Sequence, residues 1–285
     1  MFGRQKTGSV LCPSCGQLVG VGDARCLNCG RQRPGLFGFA GGLRDLGHDL
    51  GFAPLVMWSC GALYIAMLVV GREQIQTSGL LSLLSPGGET LFLFGASGAI
   101  PVFRFGRWWT VLSAPWLHAG LLHIAFNMMA VRDLVPPLSR LYGPARTAIL
   151  YVAAGVAGAL LSSLGGRYLP FLPYFLRGAG FTVGASGAVF GLIGALFHYG
   201  WRGGSRLIRE HAVRWALGGL VFGLAVPGID NVCHLGGLLG GYLAARVLDP
   251  LRPERTDHVL AALLCLLASG LAIAWSLVDG LRFVG

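Results

Sequence analysis

Two serines in this sequence sit in the same five-residue frame: Gly-Ala-Ser-Gly-Ala occurs at 95–99 and again at 184–188. A serine hydroxyl works well as a nucleophile where it opens a helix. There the free N–H groups of the first turn stabilise developing negative charge. Only the second copy has that setting. After Ser186 the chain stays apolar through Phe197, whereas the first copy soon meets Pro101, Arg104 and Arg107, which leave little helix to aim a side chain. Ser97 is therefore read as a turn in an outer loop. A packing role for Ser186 also stands, because Gly187 and Gly191 form a GxxxG face suited to close helix contact.

Partners for a nucleophile lie on other apolar segments, where polar groups are costly and therefore candidates for function. His234 falls near the start of one, and Gly237 and Gly241 repeat the small-residue spacing after it. Two such faces can approach closely enough for His234 to accept a proton from Ser186. An earlier segment carries His118, His123 and Asn127, the last two four apart and hence on one helical face. An imidazole and an amide there are suitable donors to a tetrahedral oxyanion. Each has a plainer reading as a hydrogen-bonded tie between helices. Three helices entering from the same side place Ser186, His234 and His123 at similar depth, which joins them into one site. Asp230, one turn before His234, could orient the imidazole. The preceding Pro227-Gly228 and the helix that follows favour an N-cap instead.

Four cysteines offer separate chemistry. Cys12-Pro-Ser-Cys15-Gly16 and Cys26-Leu-Asn-Cys29-Gly30 are two hooks that can each place two thiolates on one tetrahedral ion, with glycine permitting the tight turn. The spacing points to structural zinc, since four closed ligands leave no open position. Two disulfides are the rival, disfavoured in a reducing cytoplasm. A module of ~30 residues cannot build a sufficient core, so the metal must supply its folding energy. Cys60, Cys233 and Cys265 sit in or beside apolar segments and are read as packing residues.

The elements that would position these groups are membrane helices. Hydrophobic residues make up 54% of the 285 and charged residues 12%, against about 25% charged in a soluble domain. Seven apolar runs approach the ~20 residues that span a bilayer core: Ala53–Gly71, Leu117–Leu138, Pro144–Leu164, Thr182–Trp201, Ala212–Pro227, Ile229–Leu248 and Val259–Val278. With the N-terminus inside, sixteen cations flank the inner ends of these runs. Only Arg72, Arg104, Arg107, Arg167, Arg177 and Arg282 lie on the outer side. That bias predicts a cytoplasmic N-terminus and an outside C-terminus. It also assigns the net charge of +10 to anionic inner-leaflet lipid rather than nucleic acid. The polar, cysteine-rich N-terminus is not a cleavable signal peptide.

His123-Ile-Ala-Phe-Asn127, Gly184-Ala-Ser186-Gly and Asp230-Asn-Val-Cys-His234-Leu-Gly-Gly, in this order, resemble the rhomboid intramembrane proteases over about residues 53–248. The resemblance implies an all-α polytopic membrane protein: a rhomboid-like six-helix core (53–248), then a loop and seventh helix (249–285). Before the core would come a zinc-ribbon-like cytoplasmic module (1–34) and a linker (35–52). It implies a serine endopeptidase with a Ser186–His234 dyad and no carboxylate member, needing no cofactor for catalysis. The oxyanion would be held by His123, Asn127 and the Ser186 N–H. Phe190 would pack on the histidine, Gly184 would leave room for the scissile carbonyl, and His118 would support the substrate site.

Substrates would be transmembrane segments of other proteins, in what reads as a bacterial plasma membrane. The zinc module would dock a cytoplasmic protein rather than nucleic acid. A catalytically inactive relative that binds transmembrane clients is the alternative, although neither serine nor histidine is lost. The chain departs from the family at Trp109-Thr110, where Trp-Arg is frequent, which bears on how the outer loop is anchored. It departs also at Cys233, where alanine is usual. The seventh span occurs in only some members and is assigned no catalytic role.

Overall fold

The seven apolar runs become seven long helices in the computed structural model, which describes residues 4–13, 15–39, 47–77, 83–173 and 175–284. These are α1 (Phe52–Val70), α4 (Leu121–Tyr142), α5 (Pro144–Tyr168), α6 (Ser186–Arg202), α7 (Arg206–Ala225), α8 (Asn231–Val247) and α9 (Thr256–Val284). Two short helices, α2 (Gly88–Phe94) and α3 (Thr110–Ser113), lie in the loop between α1 and α4 with a π-turn at Ile100–Arg104. Part of the expected linker, residues 40–46, lies outside the described residues.

Glycine and proline set the ends. Gly143, at φ 90°, closes α4, and Pro144 opens α5 at a position where its missing N–H costs nothing. Three of the helices, Phe52–Val70, Pro144–Tyr168 and Thr256–Phe283, are by length and composition able to cross a membrane on their own. Of these Pro144–Tyr168 is the most enclosed, 61% buried against 28% and 22%. It is the central post of the bundle.

Around it α6 and α8 pack backbone to backbone. A Cβ on Gly191 would collide with Ala154 of α5, one on Gly237 with the Gly187 carbonyl, and one on Gly241 with the Gly191 carbonyl. In lipid, where no hydrophobic effect draws helices together, such close approach supplies the van der Waals contact that does. α7 is held more loosely: of its twenty residues only Ala212 and Gly223 are buried.

The N-terminal module is separate in kind. Strands β1 (Ser9–Leu11) and β2 (Leu18–Gly20) pair antiparallel, with Val10 opposite Val19. Val10, Val19, Cys12 and Cys26 make its entire small core among the described residues.

Candidate functional site

Residues 182–185 are not helical, so α6 begins at Ser186 itself rather than at Thr182. The first intrahelical bond runs from Val189 N–H to the Ala185 carbonyl. The amides of the first turn before it have no partner within the helix. The two preceding amides are used differently. Gly184 N–H donates to the Ala114 carbonyl at 3.0 Å, and Ala185 N–H donates to His118 Nε2 at 3.5 Å.

One turn into α6, the Phe190 ring lies flat on the His234 imidazole of α8, centroids 4.2 Å apart and planes 9° from parallel. The far edge of that ring abuts Gly219 of α7, where a Cβ would strike Phe190 Cζ. His234 Nδ1 has no hydrogen-bond partner, and the Ser186 hydroxyl makes no hydrogen bond to the imidazole, among the described residues. Ser186 and His234 lie next to one close approach of α6 to α8, where a Cβ on Gly187 would lie 2.9 Å from Cys233 Sγ. Asp230 is committed elsewhere: it caps α8 by accepting from Cys233 N–H at 2.9 Å and also accepts from the Ser162 hydroxyl. It is a cap, not a partner of His234.

α4 brings the third group. His123 Nδ1 accepts from Ala119 N–H at 3.4 Å, which makes Nε2 the protonated nitrogen of the neutral ring. That nitrogen faces the backbone at Gly184, because a Cβ there would lie 2.5 Å from His123 Nε2. Gly184 also holds φ at 123°, so both space and backbone conformation demand glycine. Asn127 is buried and spends one amide N–H on the His123 carbonyl at 2.9 Å, and the other has no acceptor among the described residues. His118 is fully buried, its ring edge-on to His123 at 5.1 Å. The structure thus brings Ser186, His234, His123, Asn127, His118, Gly184 and Phe190 to one end of the bundle.

Ser97 lies in the loop between α1 and α4, but it is fully buried and not a simple turn. It forms a two-way backbone bridge with Thr182: Ser97 N–H to Thr182 O at 3.0 Å and Thr182 N–H to Ser97 O at 2.8 Å. Arg107 went unnoticed in the sequence beyond its charge. It too is fully buried. Its guanidinium pairs with Asp279 of α9 at 3.0 Å and donates to the Phe92 and Ser276 carbonyls. The available signal was a pair of opposite charges in apolar surroundings, which in a membrane protein must find each other.

The cysteine hooks fold alike. Gly16 N–H donates to Cys12 O and Gly30 N–H to Cys26 O, both at 2.9 Å, with the two glycines at φ 73° and 72°. The four Sγ atoms all lie within 4.8 Å of one another. Cys12–Cys29 are 3.7 Å apart and Cys15–Cys26 3.6 Å. A tetrahedral ion with metal–sulfur bonds of ~2.3 Å has ligand edges of about 3.8 Å, and a disulfide needs ~2.05 Å. The set therefore fits a metal and is not disulfide-bonded. Burial raises the Cys15 thiol, but the Gln17 backbone, Asn28 and the neighbouring thiols outweigh it and bring it to about 6. Cys29, buried beside the same sulfurs, is pushed up to about 12.

Comparison with known proteins places the chain in one family. The family model for the rhomboid domain matches residues 105–250, just over half of the chain. "Rhomboid protease GluP" of Bacillus subtilis (strain 168) is 36% identical over 167 residues, covering 58% of this chain and 30% of that protein. "RHOMBOID-like protein 4" of Arabidopsis thaliana is 33% identical over 183 residues, 63% of this chain and 44% of that one. "Putative rhomboid protease YdcA" of Bacillus subtilis (strain 168) is 34% identical over 143 residues, 48% and 66% respectively. The chain spans less than half the length of the first two of these relatives. With its apolar helices it is an integral membrane protein, and it belongs to the rhomboid family.

Proposed function

We propose that this chain is an intramembrane serine endopeptidase with Ser186 as nucleophile and His234 as its base. The observation that carries the reading is the convergence at the start of α6. Ser186 opens the helix, the His234 ring is stacked on Phe190 one turn later, and His123 Nε2 faces Gly184 two residues before. Ser186 Oγ attacks the scissile carbonyl while its proton passes to His234 Nε2. The oxyanion takes hydrogen bonds from His123 Nε2–H, the free Asn127 amide and the Ser186 N–H. His234 returns the proton to the leaving amine, and water then resolves the acyl-enzyme by the same route. Hydrogen bonds of catalytic pairs are often long without substrate, in keeping with the open Ser186–His234 geometry.

A peptide bond inside a helix is shielded by its own hydrogen bonds. The substrates we infer are therefore single-span proteins with helix-weakening residues near the outer interface. The arginine distribution supports a cytoplasmic N-terminus and an outside C-terminus. In this reading residues 1–34 are a zinc-ribbon module and 53–248 the protease core. The sulfur spacing supports zinc, held by Cys12, Cys15, Cys26 and Cys29, which when bound supplies folding energy and takes no part in proteolysis. A cytoplasmic protein partner is the docking role we assign to the module.

The test is cleavage of a single-span substrate, with fluorophosphonate labelling, by wild type, Ser186→Ala and Ser97→Ala. Wild type and Ser97→Ala should cleave and label, and Ser186→Ala should do neither. Equal cleavage by wild type and Ser186→Ala would sink the proposal. A wild type that neither labels nor cleaves, yet retains transmembrane clients, would point to the non-proteolytic alternative.

A further inference from the structure

The first Gly-Ala-Ser-Gly-Ala copy has no nucleophile's setting, yet its backbone is tied down by a run of hydrogen bonds. Gly95, at φ 105°, ends α2. A Cβ on it would collide with the hydroxyls of both Ser113 and Ser276, so this glycine is where α9 meets the outer loop. Ser113 Oγ donates to the Gly95 carbonyl at 2.7 Å. Two residues on, Ser97 bridges Thr182. Gly98 N–H then donates to Ser163 Oγ at 3.2 Å, Ala99 N–H to Ala179 O at 2.9 Å and Ile100 N–H to Gly180 O at 3.1 Å. The first motif copy thus runs as a short ladder along residues 179–182, the segment that delivers the second copy to Ser186.

What holds this loop is α9. Arg107 is fully buried and gathers the Asp279 carboxylate, the Ser276 carbonyl and the Phe92 carbonyl at the end of α2. Its guanidinium also lies over the Phe92 ring, 4.2 Å from the centroid. Trp109 Nε1 donates to Ser276 Oγ at 3.0 Å. Gly280 lets α9 approach the Leu93 backbone, since a Cβ there would lie 3.1 Å from Leu93 Cα. From the loop so fixed, the connections nearest the nucleophile are Ser97 to Thr182 and the Ala114 carbonyl to Gly184 N–H.

We propose that the C-terminal helix is a strut: through Asp279 and Ser276 on Arg107 and Trp109, it holds the first motif copy against residues 179–184 and thereby sets the backbone at Gly184–Ser186. Arg107 and Asp279 are positioning residues, acting through the loop and touching no reacting atom. The inference rests on the protease reading for its effect on rate. Its structural half, the link from Asp279 to Thr182, does not.

The experiment uses the full purified chain as wild type, Asp279→Ala, Asp279→Asn, Trp109→Phe and, as a control on the exposed face of α9, Leu267→Ala. Four quantities are read: melting temperature, rate of fluorophosphonate labelling, kcat and KM on a single-span substrate, and amide exchange over 95–100 and 179–184. In Asp279→Ala, exchange at Ser97 and Thr182 should speed up. Labelling and kcat per folded molecule should fall at least ~10-fold, as misplacement of a reacting group does, with KM within about twofold. Asp279→Asn, which keeps an oxygen towards Arg107, should recover much of the rate, and Leu267→Ala should match wild type.

A lower melting temperature with unchanged kcat, labelling and exchange at 179–184 would overturn the strut. Should Asp279→Ala fail to fold, Trp109→Phe decides by the same criteria. A wild type that never labels defeats the protease reading instead, and the exchange data still judge the strut.

Discussion

Phe190 and His234 are stacked face to face, 4.2 Å between centroids, and in the proposed protease this contact takes the place of an orienting carboxylate. With Asp230 committed to its cap and His234 Nδ1 unpartnered among the described residues, the aromatic plane restrains the imidazole. Phe190→Leu is expected to lower kcat by ~10-fold through misorientation of the base, with a change in melting temperature of only a few degrees. Gly219→Ala, which drives a methyl into the far edge of the same ring, should act in the same direction. Steady-state cleavage together with thermal denaturation separates the two quantities.

Gly184 has no tolerated replacement. Alanine would place its Cβ 2.5 Å from His123 Nε2 and hold a positive φ, a backbone strain worth about 1–3 kcal/mol. The expected result is folded protein with activity reduced ~100-fold or more, since the donor to the oxyanion is displaced. Fluorophosphonate labelling should fall in parallel, because the fault lies at the reacting carbonyl's position. Labelling at the wild-type rate would contradict the role given to His123.

Asp230→Asn should keep most of the activity. The amide oxygen can still cap Cys233 N–H, and the hydroxyl of Ser162 can turn to accept from the new amide. Asp230→Ala loses the cap and should cost about 1 kcal/mol of stability, with kcat per folded molecule little changed. If Asp230→Asn abolished cleavage while expression held, a triad-like role would have to be restored.

The cysteine module should bind one metal per chain. Cobalt titration is expected to give the intense thiolate-to-metal absorption of a four-sulfur site, lost in Cys26→Ser. Because thiols must shed protons to bind, apparent affinity should rise with pH. Chelation should unfold residues 1–34 and leave fluorophosphonate labelling of Ser186 unchanged in detergent, since catalysis draws nothing from the metal. Labelling that falls on chelation would tie the module to the protease core.

The long helices were legible because their signal is local. An apolar run flanked by arginine announces a helix, and Pro144 after Gly143 marks its start. The cysteine hooks were legible for the same reason. The loop between α1 and α4 was not. α2, the π-turn and α3 follow no periodicity of their own, and Ser97 reads as a turn because its partner Thr182 is 85 residues away, where no spacing rule reaches. Arg107 likewise looked like one more outer-side cation, since its partners on α9 lie far along the chain. At the candidate site, Ser186, His234 and His123 could be grouped by helix order and depth. The Phe190–His234 angle and the aim of His123 at Gly184 are properties of packing, visible only once glycines bring backbones into contact.

The Arg107 contacts also set an order of events in biogenesis. Arg107 and Ser276 are separated by 169 positions, so the Arg107 loop waits for α9 to be synthesised. At the other face Arg146 binds the carbonyls of Asp249 and Arg252 on the way into that helix, a second fastening that also forms late. A nascent chain ending before α9 would therefore carry this loop unlatched, and under the proposed function proteolytic competence would arrive with α9. Translation-arrested intermediates ending before Ser276 are expected to insert and to resist fluorophosphonate labelling until Asp279 has emerged.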